Sequence, residues 1–207
     1  MGEENKDAMD INAGMVKELR ERTGAGMMQC KKALTDAAGD VEKAVDSLRR
    51  MGLAQVAKRA ERATAQGRIE AYIHAGNQIG VLIEVNCETD FVARTEDFIN
   101  LCHELALQVA ATSPRWVSAQ DVPAEILAEQ VGKSRQALVE EGLKGEELEK
   151  RLAKETDRFH EENALLSQPN IRDGSRTMGE MVTTLAAKLG ENLRVRRFSY
   201  FRLGGAS

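Results

Sequence analysis

The spacing of apolar residues first changes near Arg68, and that change sets the fold class. Up to Gly52 the apolar positions recur at helical spacing. Met15, Val16 and Leu19 mark one segment, and Val41, Ala44, Val45, Leu48 and Met51 recur at i, i+3, i+4, i+7 and i+10 in another. From Arg68 the period becomes two. Ile69, Ala71 and Ile73 alternate with Arg68, Glu70, Tyr72 and His74, and after a turn at Ala75 to Gln78 the residues Ile79, Val81, Ile83, Val85 and Cys87 alternate likewise. A strand cannot present a helical stripe to a core, nor a helix an alternating one, so a helical module must precede a sheet-bearing one.

Caps and turns divide the chain further. Asn12 can cap a helix from Ala13 to Thr23 that Gly24 ends, and a second helix starts near Met27 or Met28 and ends before Gly39. Asp40 caps a third, which Gly52 is expected to stop. These make a three-helix bundle over residues 1–54. Residues 55–67 are rich in Ala, Lys and Arg without an apolar stripe, which suits an exposed connecting helix or linker. Residues 68–207 form the second domain. After the hairpin comes a helix from Glu96 to Ala111 with Phe98, Leu101, Cys102, Leu105 and Val109 on one face. An antiparallel helical hairpin is expected over 123–165, turning at Gly142 to Gly145, and a helix from Thr177 to Leu189 follows. Asn192 to Leu203 reads as a third strand, and its alternation changes phase between Val195 and Phe198, which requires a bulge or a two-sided contact. The expected class is α+β: a helical bundle, then a core with a small antiparallel sheet packed by helices.

Composition narrows the function. The 207 residues are 42% hydrophobic, enough for a core, and no run of about 18 apolar residues exists to span a bilayer. The acidic start differs from basic targeting peptides, and Lys6 stands where a myristoylation motif needs Ser or Thr, so a cytoplasmic location is expected. Cys30, Cys87 and Cys102, with His74, His103 and His160, are scattered without zinc-type spacing. A net charge of −4 gives no general attraction to nucleic acid.

The candidate chemistry is sparse. Cys87 and Cys102 lie on apolar phases and read as buried small hydrophobes, with His103 one position off its helix's apolar face, so no nucleophilic constellation assembles. The stretch RTGAGMMQCKKAL has the G-x-G of a nucleotide loop but neither its preceding strand nor a P-loop ending. Met27 and Met28 open a helix where both cannot easily face a three-helix core, so one is either an adaptable partner contact or a gap filler. Arg194, Arg196, Arg197, Phe198, Tyr200, Phe201 and Arg202 interleave charge and aromatics as RNA-binding strands do, or as a sheet with packed aromatics and solvated arginines does. Glu88 and Asp90 could be acid/base or metal groups, but no third ligand lies near in sequence. Asp90 can equally cap the following turn, and Phe91 can pack under the helix that carries Phe98.

Two blocks together resemble a known family. VKELRERTGAGMMQCKKALTDAAGDVEKAVDSLRRMG (Val16 to Gly52), followed by GVLIEVNCETDFVAR (Gly80 to Arg94), is similar to bacterial elongation factor Ts, and the likeness continues through GENLRVRRF (Gly190 to Phe198). The resemblance implies a ubiquitin-associated-like N-terminal bundle and guanine-nucleotide exchange on the GTPase elongation factor Tu, with no cofactor, metal or catalytic residue of its own. By that likeness, Thr89, Asp90, Phe91 and Val92 intrude beside the partner's magnesium site, and Val16, Arg20, Met27 and Met28 grip its nucleotide domain. Neither nucleic acid nor membrane is an implied partner. Thr95 stands where many members carry Asn. Only one hairpin with this connection occurs, so the chain looks like the short form, which implies a homodimer. The alternative is a non-enzymatic ubiquitin-associated-like interaction adaptor, against which the T-D-F-V block after a strand argues.

Overall fold

The computed structural model describes residues 11–205, so the expectations attached to the first ten residues lie outside the described residues. Two compact units are present: residues up to Arg62 with Thr183–Asn192, and Ala63–Val182 with the residues from Leu193 onward.

In the first unit, helices α1 (Ala13–Thr23), α2 (Met27–Asp36) and α3 (Val41–Arg59) pack around Leu19, Cys30, Ala33, Leu34 and Ala44. The expected caps are in place. The Asn12 side chain accepts from the Met15 N–H at 2.9 Å, and Gly24, at φ 68°, donates its N–H to the Arg20 carbonyl at 2.7 Å. Asp40 accepts from the Lys43 N–H at 3.0 Å, and this bond holds its carboxyl below the usual value. Gly52, however, does not stop α3, which continues seven residues further, to Arg59. A Cβ at Gly52 would lie 3.2 Å from that of Ala187, so the glycine permits close approach of the last half of helix α8 (Met178–Leu189) rather than termination. The stretch expected as a linker is therefore helical up to Arg59. Asn192 donates to the Ala60 and Arg62 carbonyls at 3.2 and 2.9 Å, satisfying acceptors that the end of α3 leaves open.

The second unit is built on an antiparallel sheet in the order β1 (Gln66–Ile73), β2 (Ile79–Cys87), β3 (Arg194–Arg202). The expected third strand pairs with β2, and the phase change is a bulge. Glu84 faces Arg197 while Val85 faces Val195, so Arg196 is the extra residue. Val81, Ile83, Val85 and Cys87 point inward beneath helix α5 (Glu96–Thr112), whose Phe98, Cys102, Leu105 and Val109 are fully buried. Register then separates the two apolar phases of the hairpin. Ile69, Ala71 and Ile73 pair with Glu84, Leu82 and Gly80, so β1 turns its apolar side away from the core and places Arg68, Glu70 and Tyr72 on the inner face. The outer face consequently exposes Ile69, Ile73, Leu82 and Phe201.

Helices α6 (Ala124–Glu140) and α7 (Gly145–Asn163) form the expected antiparallel hairpin around Leu138, Leu148 and Leu152. Arg135 bridges to both oxygens of Glu149 at 2.7 and 2.9 Å. The segment between α7 and α8 is held by amides. Buried Gln108 on α5 donates to Gln168 Oε1 at 3.2 Å and to the Pro169 carbonyl at 3.1 Å, and accepts from the Ile171 N–H at 3.0 Å.

Candidate functional site

Where β2 leaves the sheet, the chain makes a single helical turn, α4 (Asp90–Ala93), before α5. Both ends of this turn are fixed by side chains. Cys87 donates its Sγ hydrogen to the Thr89 carbonyl at 3.0 Å, and Thr89 Oγ1 accepts from the Val92 N–H at 3.3 Å. Thr95 donates to the Val92 carbonyl at 2.8 Å and accepts from the Phe98 N–H at 3.4 Å, capping α5. Val92, 8% exposed, anchors the turn to the body. One short turn is thus held at both ends and underneath.

Its outer side carries Phe91, 84% exposed, whereas Phe98 in the first turn of α5 is 0% exposed. Phe91 therefore does not pack under that helix. Asp90 does not cap the turn either, since Thr89 does. The Asp90 carboxylate instead accepts from Arg94 Nη2 at 2.9 Å. A large aromatic on a rigid turn offers apolar area to another molecule with little freedom to lose on binding. The Thr95 cap gives a check on this construction: Thr95→Ala should lower stability by about 1 kcal/mol. Urea unfolding should then show a shifted midpoint with an unchanged slope.

In the first unit the side chain of Gln29 accepts from the Gly26 N–H at 3.1 Å and fixes the start of α2. Met27 and Met28 then stand 62% and 78% exposed, which removes the gap-filler reading for both. Arg20 is also exposed. Val16 is not. At 8% exposed it belongs to the bundle core with Leu19, so only three of the four N-terminal residues present their side chains to solvent.

Most of the other candidates are buried, paired or half-buried. Cys87 and Cys102 are buried, and burial pushes the Cys102 thiol up to about 12, far from a nucleophile's range. His103 is exposed, with Nδ1 3.5 Å from Glu70. Two of the β3 arginines are taken up by Glu84, which lies 2.8 Å from Arg197 Nε and 3.6 Å from Arg196 Nε. Phe198 and Tyr200 are half-buried rather than free for stacking. Among the described residues no group of three or more His, Cys, Asp or Glu is placed to hold a metal ion, and no helix is long and apolar enough to cross a membrane.

Sequence reasoning missed the outer face of the sheet. Its apolar residues were visible as alternation, but alternation gives a phase and not the face that a phase occupies. Only the pairing register shows that the two strands disagree.

A family model described as Elongation factor TS matches residues 4–205. The chain is 53% identical over 194 residues to the elongation factor Ts of Moorella thermoacetica, covering 94% of this chain and 96% of that protein. It is 49% identical to that of Caldanaerobacter subterraneus subsp. tengcongensis, covering 94% and 97%. With the elongation factor Ts of Fervidobacterium nodosum the identity is 47%, over 95% of this chain and 100% of that one. The chain belongs to the elongation factor Ts family of translation elongation factors.

Proposed function

We propose that this chain is a cytoplasmic guanine-nucleotide exchange factor for elongation factor Tu. The observation that carries the reading is Phe91, 84% exposed on a turn clamped by Thr89, Val92 and Thr95. Thr89 and Val92 hold the wedge, and Asp90 and Phe91 enter the partner. Magnesium demands near-ideal octahedral geometry, so a small displacement of the elements around it weakens its hold on the β-phosphate of GDP. No covalent chemistry, cofactor or metal of this chain takes part. Exchange follows from linkage: a factor that binds the nucleotide-free GTPase more tightly than the loaded one lowers nucleotide affinity by the same ratio. Titrating elongation factor Tu with this chain, once nucleotide-free and once loaded with GDP, tests that directly. The nucleotide-free form should bind more tightly, and equal affinities would rule the mechanism out.

The modules divide this work. In the division proposed here, residues 1–54 supply affinity, 55–67 connect, and 68–207 carry the wedge and a second copy of the chain. Met27, Met28 and Arg20 offer an apolar centre with a charged rim, as interface hot spots do. Changing Met27 and Met28 together to Ala should raise the half-saturating concentration for GDP release by about tenfold or more, with the maximal rate little changed. A lowered maximal rate at unchanged half-saturation would assign the methionines to the exchange step instead.

The exposed outer face of the sheet supports a homodimer. Ile69, Ile73, Leu82 and Phe201 lie on one side of all three strands, and a two-fold axis through that face covers each copy with the other.

A further inference from the structure

We propose that Arg94 is a positioning residue for Asp90, and that the two act as one neutral tip beside Phe91; this rests on the exchange reading above. Arg94 Nη2 lies 2.9 Å from Asp90 Oδ2 across the single turn α4, and both side chains are largely exposed. An exposed pair of this spacing adds little to folding. The turn does not depend on it, because Thr89 and Thr95 already fix both ends. What the pair does is local: it holds one carboxylate oxygen and leaves the other to a donor on the partner. It also cancels the charge of the intruding group. A bare carboxylate moving toward a nucleotide's phosphates meets like charge, and a paired guanidinium removes most of that repulsion as the site closes and water leaves. Fixing the carboxylate in the free chain also lowers the order that must be gained on docking.

The chemistry required of the partner is therefore an anionic phosphate site with at least one hydrogen-bond donor within reach of Asp90. Because Arg94 binds through one nitrogen only, a lysine can replace it. The test uses the full chain with Arg94→Ala, Arg94→Lys, Asp90→Asn and the double variant Asp90→Asn/Arg94→Ala, measuring GDP release from elongation factor Tu over a range of factor concentrations. Arg94→Ala should lower the maximal rate by about threefold to tenfold, with a smaller change in half-saturation, at an unchanged melting temperature. Arg94→Lys should recover most of the loss. The double variant should be no slower than Asp90→Asn alone, since a residue acting through Asp90 has nothing left to position. Losses that multiply in the double variant, or a maximal rate for Arg94→Ala equal to that of wild type, would overturn the inference while leaving the exchange reading intact. A wild-type chain that fails to speed GDP release removes both.

Discussion

Phe91→Ala should leave stability within about 0.5 kcal/mol of wild type, as surface substitutions usually do. The same change should slow factor-stimulated GDP release by about 30-fold, the loss expected for an aromatic hot spot worth about 2 kcal/mol. Phe98→Ala should behave in the opposite way. Phe98 on α5 is fully buried, so its truncation should cost about 3–5 kcal/mol and lower the melting temperature markedly. Two phenylalanines seven residues apart thus separate the proposed partner contact from the core. Thermal unfolding and GDP release measured on the same samples decide the matter. A destabilised Phe91→Ala chain whose folded fraction exchanges at the wild-type rate would return that residue to a structural role.

The second large effect is expected on the outer face of the sheet. Wild type should sediment as a dimer at micromolar concentration, and Leu82→Asp should sediment as a folded monomer. Leu82 sits at the middle of β2 and is exposed in the single chain, so the aspartate remains hydrated in the monomer. In the dimer, two such charges would be buried without partners at several kcal/mol each, which weakens association by about a thousandfold or more. Circular dichroism confirms that the monomer is folded. A wild-type chain that sediments as a monomer while retaining full exchange activity would remove the homodimer.

Much of this architecture could be read along the chain, for physical reasons that differ from place to place. Caps at Asn12, Asp40 and Gly24 are local chemistry and were legible as such, as was the bulge in β3, because a phase change within one strand has no other regular solution. Gly52 is ambiguous in the sequence because a glycine after a periodic segment signals a stop and a close packing contact equally well. The difference lies with Ala187, far along the sequence. The path between α7 and α8 depends on Gln108, which shares the helical stripe of Leu101 and Leu105, and on Gln168 and Asn170, loop residues that no periodicity marks as buried. At α4, the motif points to Phe91, but its exposure follows from tertiary facts: Val92 takes the inward position and two threonines fix the turn. The salt bridge from Arg94 to Asp90 follows the ordinary i,i+4 rule once the turn α4 is known to be helical.

The decisive measurement is the release of labelled GDP from elongation factor Tu, with and without this chain, at millimolar magnesium and again with the metal chelated. Wild type should accelerate release strongly when magnesium is present, and its advantage over Phe91→Ala should shrink on chelation, because in the proposed mechanism the ion to be displaced is already gone. A release rate that the chain leaves unchanged at millimolar magnesium, with the folded state verified, would contradict an exchange function.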